Sequence, residues 1–189
     1  MATHEIVATS TMYDGWAKFL KLTIRRSQGD TMEREVEDHG AATAVLPYDP
    51  ERRTAILVRQ FRAAVFHAGG PPVLLETIAG LLDEDDPAAC ARREAHEEVG
   101  LRLGAVERVA TVWSMPGIST ERMHLFLAPY RPSDRVGEGG GLAEEHEDIE
   151  VVEIPLRELW ALTQSGELQD LKTLVLVQAL RLRHPELFA

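Results

Sequence analysis

The chain has 189 residues, 44% of them hydrophobic, which is enough for one well-buried core with appendages but short for two full domains. Its formal net charge of −11, from 31 acidic and 20 basic residues, argues against a surface that neutralises a nucleic-acid backbone, so we expect no nucleic-acid partner. Cys90 is the only cysteine, which excludes an intrachain disulfide and fits a reducing, cytoplasmic location.

The N-terminal region is predicted to form strands. Short β-prone runs occupy residues 5–24 and 32–37, and a polar turn at 27–30 separates them. The first residues lack the basic and apolar regions of a signal peptide, and the longest apolar stretch, near 174–180, is too short to span a bilayer. We therefore expect an N-terminal strand layer and no association with a membrane.

The next segment has the pattern of a hairpin that enters the main sheet. Runs at 41–46 and 54–60 flank Tyr48, Asp49 and Pro50, whose side chains favour a turn.

A helix with well-defined ends is predicted after residue 85. Asp86 can cap it, Pro87 suits its first position, and Gly100 suits its C-terminal exit. On this helix Glu94 is separated from Glu97 and Glu98 by three and four residues, so the three carboxylates share one face.

Clustered carboxylates repel one another, and a bound cation is one way to compensate them. Ligands that offer only oxygen favour magnesium, calcium or manganese over zinc. Arg93 can pair with Glu97 one turn further along the helix. The plain alternative is a solvated charged helix face, which is what most such glutamate pairs form.

The rest of the chain alternates strands, a loop and helices. Residues 106–113 and 124–128 are expected to be strands, and 156–162 and 171–182 have the spacing of helices. Between them, after Pro132, the segment is too polar and too rich in glycine for a regular element, so it is predicted to be a mobile loop.

The stretch AGLLDEDDPAACARREAHEEVGL resembles the Nudix box, with a glycine at Gly80, the Arg93-Glu94 pair, the Glu97-Glu98 pair and Gly100. The family pattern has five residues between its first glycine and its first glutamate. Here the corresponding acid is Asp85, with only four residues between it and Gly80, so the loop is one residue short.

Segments 34–36, 58–62, 114–121 and 147–151 extend the resemblance from about residue 5 to residue 182. The chain is thereby similar to the branch of the Nudix superfamily that holds GDP-mannose hydrolases and ADP-ribose pyrophosphatases, and its short box favours the former. The resemblance implies an α/β/α sandwich with a mixed sheet. It divides the chain into an antiparallel N-terminal strand layer at 1–39, which forms a homodimer, and a hydrolase domain at 40–189.

The implied reaction is magnesium-dependent hydrolysis of GDP-mannose to GMP and mannose 1-phosphate, with manganese as a possible substitute. One alternative is ADP-ribose hydrolysis to AMP and ribose 5-phosphate. An alternative of another class is a sensor that binds a nucleotide sugar without cleaving it. The set of carboxylates favours an enzyme, since a sensor would have little need for them.

Site residues follow from the resemblance, position by position. The implied metal ligands are the Ala79 carbonyl, Glu94, Glu97, Glu98 and Glu147, and the catalytic set is Glu98, Glu147 and Arg93. Glu147 serves either as a ligand or as general base. The implied substrate contacts are Trp16, Arg34, Glu35, Arg62, Gly80, Leu81, Glu121, His146 and Lys172.

Several of these residues have plain alternatives. Trp16 could be a core or interface aromatic, Arg62 a surface ion pair, Lys172 a solvated helix residue and His146 a solvated loop residue.

Overall fold

The computed structural model describes residues 3–83, 86–141 and 148–189. In this part of the chain, ten strands and four α-helices form an α/β architecture with a mixed sheet and a separate antiparallel sheet, which confirms the predicted fold class. The chain divides into two compact units, Met1–Ala41 with Thr111–Met123, and Ala42–Ala110 with His124–Ala189. The domain boundary at residues 39 and 40 remains a prediction.

The first unit contains an antiparallel sheet of three strands, β1 (Glu5–Asp14), β2 (Lys18–Arg25) and β3 (Thr31–Asp38), in that order. The polar turn between β2 and β3 is closed by a hydrogen bond from Arg26 N to Asp30 O at 2.8 Å, and Gly29 adopts the left-handed conformation with φ 92°. The predicted strands and turn are confirmed. All ten residues of β1 are exposed.

The second unit is built on the larger sheet. Its strands are β4 (Ala42–Asp49), β5 (Thr54–Phe61), β6 (Val73–Glu76), β7 (Ile78–Leu81), β8 (Glu107–Trp113), β9 (Arg122–Pro129) and β10 (Ile149–Pro155). The main order is β10-β5-β4-β9-β8, with β6 paired to β5 and β7 paired to β4. The last three residues of β8, 111–113, and the first two of β9, 122–123, belong to the first unit.

The predicted β4–β5 hairpin is present, but its turn lies further along the chain. β4 continues through Tyr48 to Asp49, and these residues pair with Ala55 and Thr54. Asp49 Oδ1 accepts hydrogen bonds from the backbone N–H groups of Glu51 and Arg52, within the turn at 50–53, at 2.9 and 3.0 Å. All eight residues of β4 are buried, as expected for a strand covered on both faces.

Four helices complete the second unit: α1 (Ala63–His67), α2 (Pro87–Val99), α3 (Leu156–Ser165) and α4 (Leu171–Arg183). The ends of α2 are confirmed, because Asp86 Oδ1 accepts a hydrogen bond from Ala88 N at 2.9 Å and Gly100 is left-handed with φ 68°. The sequence did not predict α1, β6 or β7. Among the described residues, no helix is both long and apolar enough to cross a membrane.

The core of this unit fixes the position of α2. Ala91, Ala95 and Val99 of α2 are fully buried in one cluster with Val45 of β4. The neighbouring Leu46 points to the other face of β4, and α4 contacts that strand with Leu176 and Leu180 buried. The helix that carries the clustered glutamates is therefore packed rigidly against the sheet.

Candidate active site

The three glutamates of α2 are largely withdrawn from solvent. Glu98 is 3% exposed, and the side chains of Glu94 and Glu97 are 12% and 25% exposed. The alternative of a solvated charged face is therefore wrong. Like charges held together in a poorly hydrated place require compensation by nearby cations.

Arg93 supplies part of that compensation. Its Nη1 lies 2.8 Å from Glu94 Oε1 and 3.0 Å from Glu97 Oε2, and its Nη2 donates to Asp83 Oδ1 at 2.6 Å. The predicted pair with Glu97 is confirmed. Burial alone would lower the pKa of Arg93, but Glu94 and the neighbouring acids outweigh it and hold that pKa above its ordinary value. One guanidinium thus orients two glutamates of the box.

Gly80 and Glu94 occupy adjoining space. A Cβ atom on Gly80 would lie 2.1 Å from Cδ of Glu94, so the carboxylate fills the place of the missing side chain. Gly80 and Ala79 belong to β7, where they pair with Thr43 and Ala44 of β4. The structure therefore brings Gly80 and Glu94 into contact. The backbone carbonyl of the neighbouring Leu81 accepts a hydrogen bond from the Cys90 thiol at 3.3 Å.

The glycine-rich segment before residue 142 is tied to the C-terminal end of α2. Gly140 N donates to Glu98 O at 2.8 Å, and Val136 N donates to Gly100 O at 2.8 Å. Gly139 has φ 74°, and a Cβ there would lie 2.3 Å from Glu98 O. The prediction of a loop is confirmed for 137–141, where these hydrogen bonds attach it to α2, and its mobility stays a prediction. Asp85, His146 and Glu147 lie outside the described residues.

Arg62 and Lys172 converge on one buried carboxylate, that of Glu76. Arg62 Nε and Nη2 donate to the two oxygens of Glu76 at 2.6 and 2.9 Å, and Glu76 is 2% exposed. Lys172 Nζ donates to Glu76 Oε2 and, at 2.8 Å, to Asp170 Oδ1. The Lys172 side chain is 15% exposed, so its interpretation as a solvated helix residue is wrong.

The charges of this cluster support one another. Burial pushes the pKa of Glu76 upward, but the hydrogen bond from Arg62 and the charge of Lys172 outweigh burial and hold that pKa below its ordinary value. The hydrogen bond to Glu76 raises the pKa of Arg62, and the charge of Glu98 raises it further. Glu98 of α2 is therefore among the charges that act on the pKa of Arg62.

Sequence reasoning missed Glu76. The available signal was a single acid within the apolar run Val73–Ile78, where a buried charge must find a partner. Asp83, which binds Arg93, was also missed.

In the first unit, Trp16 and Glu121 are linked through His39. Trp16 is 78% exposed, and its ring stacks on the ring of His39 with centroids 4.9 Å apart. The two ring nitrogens of His39 contact Glu37 and, at 3.3 Å, Glu121 Oε1. Trp16 is therefore not a core aromatic. Sequence reasoning did not single out His39.

Arg34 and Glu35 lie on exposed β3 beside Met12 and Lys21, where they line a shallow hollow. Arg34 Nη1 donates to Glu33 O at 2.7 Å. Both side chains are accessible to a ligand, and their roles remain predictions.

The donors on α2 fit a hard divalent cation in kind, because they are carboxylate oxygens packed beside a glycine backbone. Within residues 3–83, 86–141 and 148–189, no three His, Cys, Asp or Glu side chains are grouped as a metal site. In this arrangement Arg93 lies against two of the predicted ligands, and Glu147 is outside the described residues. The ligand set therefore stays a prediction.

Three relatives share most of their length with this chain, and each is named GDP-mannose pyrophosphatase. The protein of Cronobacter sakazakii is 44% identical over 163 residues, which cover 85% of this chain and 84% of the relative. The protein of Salmonella typhimurium is 41% identical over 164 residues, covering 86% and 85%. That of Enterobacter sp. strain 638 is 38% identical over 183 residues, covering 94% and 95%.

A solved structure described as an ADP compounds hydrolase matches this chain with a TM-score of 0.77, and the match covers 97% of this chain and 95% of the other. The two sequences are 18% identical, so this match establishes the fold alone. A family model described as the NUDIX domain matches residues 38–175. Together with the box on α2, these similarities confirm the resemblance, and the chain belongs to the NUDIX domain family.

Proposed function

We propose that this protein is a Nudix hydrolase that cleaves the pyrophosphate bond of a nucleoside diphosphate sugar, converting GDP-mannose to GMP and mannose 1-phosphate. The observation that carries the proposal is the identity of 38–44% to proteins named GDP-mannose pyrophosphatase, over at least 84% of their length. The buried glutamates and the Arg62–Glu76–Lys172 cluster support it, because they place acids and cations on one unit.

The charge of the chain favours a bound cation. A protein with net charge −11 repels an anionic pyrophosphate, and Nudix hydrolases generally use a divalent metal. We propose magnesium, with manganese as a substitute, held by the Ala79 carbonyl, Glu94, Glu97, Glu98 and Glu147. When bound, such a cation supplies positive charge that polarises the phosphoryl group.

The described side chains have separable tasks. Arg93 orients Glu94 and Glu97, and Glu98 adds a buried carboxylate to the same helix. Arg62 and Lys172 donate hydrogen bonds to phosphate oxygens, since both are cations with N–H groups beyond those that Glu76 accepts.

For recognition of the nucleoside and sugar we propose Trp16, Arg34, Glu35, Gly80, Leu81, Glu121 and His146. The exposed ring of Trp16 offers a stacking surface for a base. We also propose that the N-terminal strands form a homodimer and that the protein acts in the cytoplasm, where the unpaired Cys90 would stay reduced.

The test is a product analysis with magnesium present. The purified protein is incubated with GDP-mannose, ADP-ribose, other nucleotide sugars and nucleoside triphosphates, and the products are separated by ion-exchange chromatography. We expect GMP and mannose 1-phosphate to form with the highest kcat/KM. Preferential release of AMP and ribose 5-phosphate would identify ADP-ribose, and not GDP-mannose, as the preferred substrate. Absence of turnover with every compound would refute the assignment as an enzyme. The alternative of a sensor that binds a nucleotide sugar without cleaving it would then remain.

A further inference from the structure

The two cations of the Arg62–Glu76–Lys172 cluster belong to elements far apart in the chain, yet one carboxylate fixes both. Arg62 follows β5, Glu76 ends β6 and Lys172 lies in the first turn of α4. Glu76 accepts two hydrogen bonds from Arg62 and one from Lys172. Because Glu76 is 2% exposed, its carboxylate oxygens are shielded from water, which strengthens these bonds.

Each cation keeps donors that Glu76 does not take. A guanidinium carries five N–H groups, and Glu76 accepts from Nε and Nη2 of Arg62. An ammonium carries three, and Lys172 directs its Nζ to Glu76 and Asp170. The remaining N–H groups can point toward an anion, and the half-exposed Arg62 gives that anion access.

The backbone next to Glu76 is also held in place. Thr77, the next residue, donates its backbone N–H to Thr173 Oγ1 at 2.6 Å, and Thr173 N donates to Asp170 Oδ2 at 2.9 Å. The end of β6 is thus fixed to the start of α4, which carries Lys172. Long side chains such as Arg and Lys lose much rotamer freedom when a ligand immobilises them, and fixing them beforehand removes that cost from binding.

The cluster also adjoins the box. Only Thr77 separates Glu76 from β7, the strand that carries Ala79 and Gly80. Gly80 in turn contacts Glu94 of α2, and the charge of Glu98 is among the nearby charges that raise the pKa of Arg62. An anion held by Arg62 would therefore lie near the carboxylates of α2.

We propose that Glu76 is a positioning residue of the hydrolase: it holds Arg62 and Lys172 as a fixed pair of donors for the pyrophosphate of the substrate. This inference rests on the proposed function. Glu76 itself does not contact the substrate, and its effect on turnover passes through the two cations.

The primary test compares Glu76→Gln with the wild type and with Glu107→Gln, by steady-state kinetics on GDP-mannose with magnesium. Glu107 is a matched control, because it accepts from Arg183 at 2.6 Å in an exposed pair remote from these residues in sequence. We expect Glu76→Gln to raise KM roughly 10- to 100-fold with a smaller fall in kcat, since misplaced binding groups cost about that much. Glu107→Gln should have wild-type constants. Wild-type KM in a folded Glu76→Gln protein would overturn the proposal.

A second comparison separates positioning from general support of the fold. In the background Arg62→Gln/Lys172→Met, adding Glu76→Gln should change KM and kcat by less than about twofold, because the groups through which Glu76 acts are already gone. A further large loss of kcat/KM in this background would show that Glu76 does not act through the two cations.

Folding is controlled by circular dichroism and thermal melting, because removal of one partner from a buried charge cluster is strongly destabilising. If Glu76→Gln does not fold, Glu76→Asp keeps the charge but withdraws the carboxylate by one methylene group. A raised KM in folded Glu76→Asp supports the proposal, and a wild-type KM overturns it. These results are distinct from a failure of the proposed function, in which the wild type itself would not cleave GDP-mannose.

Discussion

At the scale of single residues, the contact of Gly80 with Glu94 predicts that a substitution at Gly80 lowers activity without lowering stability. Gly80→Ala would place a methyl group about where the Glu94 carboxylate lies, with Cδ 2.1 Å away. Because the obstacle is the end of a flexible side chain, Glu94 can swing aside and the backbone need not move. We expect a melting temperature within a few degrees of wild type, and a loss of turnover on the order of 100-fold, since a displaced carboxylate no longer has its productive geometry.

The measurements are kcat on GDP-mannose and the thermal midpoint by circular dichroism. Gly104→Ala is the matched control, because Gly104 is exposed and a Cβ there meets no atom within 4 Å. Wild-type turnover in Gly80→Ala would mean that the position of Glu94 does not matter.

A second prediction for a single residue concerns Glu98 and the metal dependence of turnover. Glu98→Gln keeps the shape of the side chain but removes its charge, so the fold should survive while the proposed ligand is lost. EDTA should abolish wild-type turnover, and magnesium should restore it. In Glu98→Gln we expect magnesium to restore at most about 1% of wild-type turnover, a loss in line with damage to a metal site. Full restoration in this variant would remove Glu98 from the ligand set.

At the scale of elements, α2 shows what the sequence can specify. Its start and end depend on Asp86, Pro87 and Gly100, whose effects are local, and all three act as predicted. Glu76 could not be found in this way, because its partners Arg62 and Lys172 are 14 and 96 positions away. β6 and β7 were missed because they have only four residues each, too few for a hydrophobic period to be recognised.

The attachment of the glycine-rich segment to α2 gives a prediction at this scale. Gly139→Ala must adopt a left-handed conformation, and its Cβ would lie 2.3 Å from the backbone carbonyl oxygen of Glu98. Unlike a side chain, that backbone cannot move without disturbing the end of α2. We expect a destabilisation of about 1–3 kcal/mol in urea unfolding. Gly104→Ala should be neutral or slightly stabilising, and equal stability of the two variants would show that the segment is not held against the helix.

At the scale of the whole molecule, the net charge and the exposed N-terminal sheet have opposite effects on the association of two copies of the chain. Each chain carries −11, so two copies repel at low ionic strength. Yet β1 is an edge strand with all ten residues exposed, among them Ile6 at 60% and Met12 at 54%. Unpaired edges that bear apolar side chains are typical of surfaces that another chain covers.

A homodimer through the N-terminal strands should therefore strengthen with salt. Light scattering after size-exclusion chromatography should give about twice 21.0 kDa at moderate ionic strength, with some dissociation as salt is lowered. The variant Ile6→Lys/Met12→Lys should be monomeric, because it places charge in the interface. Leu182→Lys, which changes an 84% exposed residue of α4 in the same way, should stay dimeric. A wild-type mass of one chain at every salt concentration would show that β1 is not covered by a second copy, and its exposed apolar side chains would then need another partner.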